Sequence, residues 1–206
     1  MSGRFTFVDI ETTGLEPAGG VVLEVGIIVM DSDLEHVVAM EQFIVPHSDE
    51  DMVFGANDYV MKMHEKSGLF EHIKAMRVGT EDHIERMMEM KGVDRFWAAQ
   101  QAISEQVTTF LDSLGVKNEP LCGSSVHFDR KWLEYHMPRI LDRFSYRNID
   151  VSSFLETIRL HWGVDQVHEV VVNRGRHRSV DDLQDTIATL KNALAFLADP
   201  PAIEKG

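Results

Sequence analysis

Asp9 and Glu11 lie two residues apart at the end of an apolar, β-branched and aromatic run, Phe5-Thr6-Phe7-Val8-Asp9-Ile10. On a strand, residues i and i+2 project from one face, so the two carboxylates repel and are costly to bury without a positive charge between them. Oxygen ligands of this kind suit a hard divalent cation, Mg²⁺ or Mn²⁺. Asp129 and Asp182 add two more carboxylates, and His177 stands five residues before Asp182. Four carboxylates can hold two divalent ions about 3.5–4 Å apart, the arrangement that clamps the attacking and leaving oxygens in phosphodiester cleavage. Histidine titrates near neutrality and suits deprotonation of an attacking water.

Each of these residues also has a structural explanation. Asp-x-Glu at a strand end can be two solvated acids, and Asp129, at a helix start, can serve as an N-cap stabilised by the helix dipole. Ser179-x-x-Asp182 is a capping-box pattern that accounts for Asp182 alone. A lone histidine such as His177 is most often a surface or hydrogen-bonded side chain. Together, however, the five fall at strand ends and helix starts, where an α/β fold gathers its site.

The elements that must position them follow in order. After Phe5–Ile10, Val21–Met30 is a long apolar segment interrupted by Glu24, and Leu34–Val45 reads as a third strand closed by Pro46. Short turns between them predict an antiparallel meander. Glu24 is either an acid behind the site or a hydrogen-bonded polar group of the core, and the second is preferred. Pro46–Asp58 is acidic and irregular, Tyr59–His64 reads as a short helix, and Ser67-Gly68-Leu69 is a break. Thr80–Leu114 has a helical pattern. In it Gly92 separates a Met-rich piece (Met87, Met88, Met90), read as packing filler, from an amphipathic helix with Asp94 as its N-cap. Then come a strand at Leu121-Cys122-Gly123, a helix over Phe128–Met137 and a strand over Arg147–Val151. A capping box at Ser153-x-x-Glu156 opens a helix running to Trp162. Gly163–Gly175 reads as a loop with a little strand at Glu169–Val172, and a long terminal helix runs from Ser179 to Leu197. Antiparallel strands first and helix-crossed strands later predict an α/β fold with a mixed sheet and flanking helices.

At 206 residues, 44% hydrophobic and 26% charged, the chain has the size and composition of one soluble globular domain. No apolar run reaches membrane-spanning length and no signal-peptide layout precedes the first strand, so no membrane is expected as a partner. The single cysteine, Cys122, excludes an internal disulfide and a thiolate metal cluster, reads as a packed core thiol and suits a cytoplasmic location. The net charge of −14 argues against a protein that tracks long nucleic acid by its phosphates, and favours a pocket that takes few nucleotides.

Phe7-Val8-Asp9-Ile10-Glu11-Thr12-Thr13-Gly14-Leu15 resembles the first motif of the DEDD exonucleases, and Gly123-Ser124-Ser125-Val126-His127-Phe128-Asp129 resembles the second. His177-Arg178-Ser179-Val180-Asp181-Asp182 has the His-x4-Asp spacing of the third motif in the histidine-bearing (DEDDh) branch. Within that branch the chain is most similar to the oligoribonucleases, also through His64-x-x-Ser67-Gly68-Leu69, Met137-Pro138 and Tyr146-Arg147-x-x-Asp150-Val151-Ser152.

The resemblance implies an RNase H-like fold and a 3′-to-5′ exoribonuclease that hydrolyses very short single-stranded RNA with two divalent ions, Mg²⁺ or Mn²⁺. It implies that Asp9 bridges both ions, that Glu11 and Asp182 complete one and that Asp129 holds the other. His177 becomes the general base, Leu15 a wedge against the bases, and Tyr59 a stacking residue where the family often has tryptophan. Ser125, Tyr146 and Arg147 would cap the 5′ phosphate, the last two reaching in from the second subunit of a homodimer; ordinary packing is the alternative for that pair. The chain departs from the family in a longer stretch between Leu69 and Leu121, assigned as a helical insertion around 80–96 of a single 1–206 exonuclease domain, and at Asn148 and Ile149. Two other functions remain open: a proofreading or repair-type 3′-to-5′ exonuclease on longer single strands, and a non-catalytic nucleotide-binding protein.

Overall fold

Alternation in the first strand sets up the two sides of the molecule. In the computed structural model, which describes residues 3–201 apart from the side chains of Val78, Glu81 and His83, β1 spans Arg4–Thr12. It pairs antiparallel with β2 (Val22–Asp31), which pairs antiparallel with β3 (Val37–Ile44). On its other edge β1 runs parallel to β4 (Glu119–Gly123), and β4 runs parallel to β5 (Phe144–Asp150). The order β3-β2-β1-β4-β5 is the mixed sheet expected from the sequence.

Period-two alternation sends Val8 and Ile10 to one face and Phe7, Asp9 and Glu11 to the other. Val8 and Ile10 join the larger core with α4 (Arg95–Ser113), α5 (Val126–His136) and α6 (Pro138–Leu141). Phe7 joins a second core under α7 (Val151–Trp162) and α9 (Ser179–Ala198), with Leu183, Ile187 and Leu190 of α9 pressed on the sheet. Fully burying a side chain of this size contributes about 1.5–3 kcal/mol, so both faces are firmly covered. The carboxylates at the end of β1 therefore look toward α9.

Before this core, the acidic segment after β3 contains one short helix, α1 (Asp49–Val53), opened by a capping box between Ser48 and Asp51. Helix α2 (Asp58–Lys66) is capped by Asn57 and tied to the end of β1 by the Nε2–H of His64, which donates to the Thr12 carbonyl at 2.9 Å. Helix α3 (Leu69–Lys91) starts eleven residues earlier than the periodicity predicts. Leu69, Phe70 and Ile73 bury its first turns, and this packing offsets the roughly 1 kcal/mol that Gly79 costs inside a helix. Gly92 ends it in a left-handed conformation, and Asp94 caps α4 as predicted, accepting from Trp97 N–H at 2.8 Å. Residues 80–96 thus form the second half of α3, the Gly92 turn and the start of α4. Met87 and Met88 pack into the core, whereas Met90 is 84% exposed and fills nothing.

Three further expectations are corrected. Residues 169–172 form no strand; Val164–Val170 is a helix, α8, whose Val167 and Val170 share a cluster with Ala193 and Phe196 of α9. Ser153 does not open α7, because Asp150 is the N-cap and accepts from Ser152 N–H at 3.0 Å. Ser179 is not a cap either: it is the first residue of α9, and Arg178, at the N-cap position, makes no side-chain capping hydrogen bond. Cys122 is buried as expected, and burial pushes its thiol up to about 12.

His47 is buried, donating from Nε2 to the Val22 carbonyl at 2.8 Å, while its Nδ1 has no hydrogen-bond partner among the described residues. Desolvation pushes it down to about 4. A depressed histidine makes the unfolded chain take the proton first, so its contribution is intact above about 6.5 and is lost as pH falls toward 4. The expected cost is up to about 3 kcal/mol across that window. Urea unfolding of the parent and His47→Gln at pH 7 and pH 4.5 checks it. The parent is expected to lose more stability on acidification than the variant; equal losses would contradict the assignment.

Candidate active site

The register of β1 on β2 places Asp9 opposite Gly26 and Glu11 opposite Glu24, with a register shift between Glu11 and Thr12. Such irregularities recur beside functional sites because they end pairing and re-aim side chains. Across from these carboxylates, the first turn of α9 carries Asp182, whose negative charge is favoured there by the helix dipole. One oxygen from each of Asp9, Glu11 and Asp182 fits within a 4.8 Å cluster.

The segment entering α9 is pinned to that helix. Val172 N–H donates to Thr189 Oγ1 at 2.9 Å and Arg174 N–H donates to Asp185 at 2.6 Å. His177 follows with φ +52°, a left-handed conformation uncommon for a residue with a Cβ. It lines, with Asp9, Asp182, Ser124 and Asp185, a cleft of about 430 Å³.

The electrostatics of the acids are one-sided. Burial, then the charges of Asp129, Glu11, Asp182 and Glu24, hold the Asp9 carboxyl well above the usual carboxylate range. Burial and Glu24 do the same to Glu11, with Arg178 the opposing influence. Burial pushes Asp129 up to about 8 and also raises Asp182, against a lowering by His177. Carboxylates crowded together without enough positive charge are what a hard cation relieves. The donor set, all carboxylate oxygens, fits a divalent ion of that class, with Asp9, Glu11 and Asp182 as ligands.

Asp129 is brought near but turned differently. It lies inside the first turn of α5, with Ser125 as the N-cap position, so it is not a cap. It is buried, and its Oδ1 accepts from Ile10 N–H at 3.1 Å, between the two acids of β1. It is also the charge that most raises Asp9.

The other predicted residues stand around the site rather than in it. Ser125, at φ +53°, is held by Asp150 and Ser152, its N–H donating to Asp150 Oδ1 at 2.9 Å and its hydroxyl lying 3.1 Å from Ser152 Oγ. Ser124, not Ser125, lines the cleft. Leu15 and Tyr59 are 79% and 71% exposed, free for contact with a ligand. Tyr146 and Arg147 do not line the cleft of their own chain; the Arg147 guanidinium sits 4.8 Å from the Tyr146 ring on exposed β5. Ser124 and Ser152 fall inside the family-like segments but receive no role from the sequence, and Asp185 of α9 carries no sequence signal beyond helical packing.

No family model matches the sequence. Among curated proteins, an oligoribonuclease of Shewanella loihica is 34% identical over 185 residues, 90% of each chain. An oligoribonuclease of Neisseria meningitidis is 31% identical over 199 residues, 96% of this chain and 95% of its own. Among solved structures, the nuclease domain of 3′hExo, a DEDDh family member bound to rAMP, superposes with TM-score 0.52 at 12% identity, covering 98% of this chain and 96% of that one. The E. coli exonuclease I–single-stranded DNA complex gives TM-score 0.60 at 14% identity, covering 97% of this chain but 42% of that one. These two show a shared fold. Relatives above 30% identity spanning nine-tenths of both chains show more: this chain belongs to the oligoribonuclease family, with a DEDDh exonuclease fold.

Proposed function

We propose that the family's 3′-to-5′ exoribonuclease activity is directed here at very short RNAs, down to dinucleotides, and uses two divalent ions, Mg²⁺ or Mn²⁺. The convergence of the Asp9, Glu11 and Asp182 carboxylates within 4.8 Å, in a cleft shared with His177, carries this reading. When bound, the ions polarise the phosphodiester and stabilise the charge that builds on it. Asp9, Glu11 and Asp182 hold them, and Asp129 would join from α5 by turning from Ile10 N–H. An imidazole nitrogen of His177 takes the proton of the attacking water, and the pinned segment before α9 holds the backbone that carries it. Leu15, exposed in the turn after β1, and Tyr59, exposed on α2, which the His64–Thr12 hydrogen bond ties to the end of β1, pack against the bases.

The net charge of −14 favours short substrates over a long polyanion. We place the protein in the cytoplasm, where the lone buried Cys122 stays reduced; among the described residues no helix is long and apolar enough to cross a membrane. We read the chain as one exonuclease domain with the 80–96 stretch inserted in it.

A homodimer completes the site: Tyr146 and Arg147 of one copy cap the 5′ phosphate in the cleft of the other, beside Ser125. The exposed Arg147–Tyr146 pair, which its own cleft does not use, supports this arrangement. Arg147→Ala is expected to lower kcat/KM on a 5′-phosphorylated RNA dinucleotide about tenfold to a hundredfold, the value of a hydrogen bond to a charged group. The loss is expected to disappear on the dinucleotide lacking that phosphate. An equal kcat/KM for parent and variant on the phosphorylated dimer would favour a general single-strand exonuclease instead.

A further inference from the structure

Glu24 is fully buried, and four donors converge on it. Its Oε1 accepts from Gln42 Nε2 at 2.7 Å, from Ser179 N–H at 2.8 Å and from the Ser179 hydroxyl; its Oε2 accepts from Arg178 Nε at 2.9 Å. Hydrogen bonding of this completeness is what a buried carboxylate needs, and it agrees with a polar group of the core. The identity of the partners says more. Three of the four donors come from the two residues that directly follow His177 and precede Asp182 by one helical turn.

Gly26, the partner of Asp9 in the sheet, completes the contact. A Cβ at position 26 would lie 2.7 Å from Ser179 Cβ and 2.9 Å from its carbonyl carbon, so the start of α9 rests directly on the β2 backbone. Arg178, at the N-cap position of α9, supplies no side-chain cap, and the Glu24 carboxylate accepts from the first N–H of the helix in its place. Arg178 extends the link by donating from Nη2 to His72 Nδ1 on α3 at 2.9 Å. The residues of β2 that face Asp9 and Glu11 are therefore the ones that hold the helix bringing Asp182 to them.

We propose that Glu24 is a positioning residue for hydrolysis: by gripping Ser179 and Arg178 it sets where Asp182 and His177 stand relative to Asp9 and Glu11. The inference rests on the proposed function, and its force comes from geometry, since a misplacement of about 1 Å can cost about 10²-fold in rate.

Single-turnover hydrolysis of an RNA dinucleotide, with enzyme in excess and saturating Mn²⁺, separates positioning from simple stability. With enzyme varied in excess, an unfolded fraction raises the total enzyme needed to reach the plateau, whereas misplacement lowers the plateau rate constant. Glu24→Gln is expected to reach its plateau at a similar enzyme concentration and to lose about tenfold or more in the plateau rate constant. Combined with Ser179→Ala, it should lose less than the product of the two single effects, because both act through one contact. Should Glu24→Gln not fold, Arg178→Lys, which keeps the charge but loses the fork between Glu24 and His72, should lower the rate constant threefold or more. Plateau rate constants within twofold of the parent, or a change confined to the enzyme concentration needed to reach the plateau, would overturn the proposal. Peptide hydrogen exchange over residues 175–182 reads the same contact without turnover: faster exchange in the folded variant supports the grip, and unchanged exchange removes it. A parent that hydrolyses nothing would overturn the proposed function, while the exchange result would still decide the grip.

Discussion

Asp9→Asn is expected to lower kcat by about 10³-fold or more, the upper range for losing one preorganised electrostatic contact, while leaving the chain folded. Asp9 is the hub of the acids: Asp129, Glu11, Asp182 and Glu24 all press on its carboxyl. An asparagine keeps the shape but removes the charge that two ions would share. The same change relieves repulsion when no metal is bound, so the variant should be at least as stable as the parent in EDTA. It should also lose most of the stabilisation that Mn²⁺ gives the parent, about 2.7 kcal/mol at a hundredfold excess over Kd. Thermal unfolding with and without Mn²⁺, beside steady-state kinetics, reads both effects. A kcat within tenfold of the parent would sink the two-ion assignment.

His177→Ala is expected to cost about 10²–10⁴-fold in kcat, the range for a general base, with KM little changed. Its left-handed backbone allows a control that separates chemistry from strain. Glycine adopts φ +52° without the Cβ penalty, so His177→Gly should be more stable than His177→Ala by about 1 kcal/mol. Both variants should nevertheless be equally slow. Recovery of activity in the glycine variant would make His177 a structural residue.

The geometry of the candidate site was legible where it depended on local period. Asp9 and Glu11 share a face because strand side chains alternate, and the sheet keeps that face toward α9. What lay beyond reach was long-range competition. Ser179 has the sequence of a capping residue, but its hydroxyl donates instead to Glu24, 155 positions away, because a buried carboxylate outbids a helix end. Val170-Val171-Val172 looks like a strand by β-branching, yet Val167 and Val170 are spaced to pack on α9 as one helical face. The sequence pattern places a break at Ser67-Gly68-Leu69 and starts the next helix only at Thr80. The burial of Leu69, Phe70 and Ile73 carries the helix through Gly79. Glu24 was read as a polar group of the core, and it is one. That it also holds the helix bearing Asp182 required knowing where α9 lands.

The most direct test of a short-RNA exoribonuclease is a time course on 5′-labelled RNAs of two, seven and about twenty nucleotides, in Mn²⁺ at matched concentrations. A closed, length-reading pocket predicts that the dinucleotide disappears far faster than either longer strand. Equal or faster loss of the longest strand would contradict it and leave a general exonuclease.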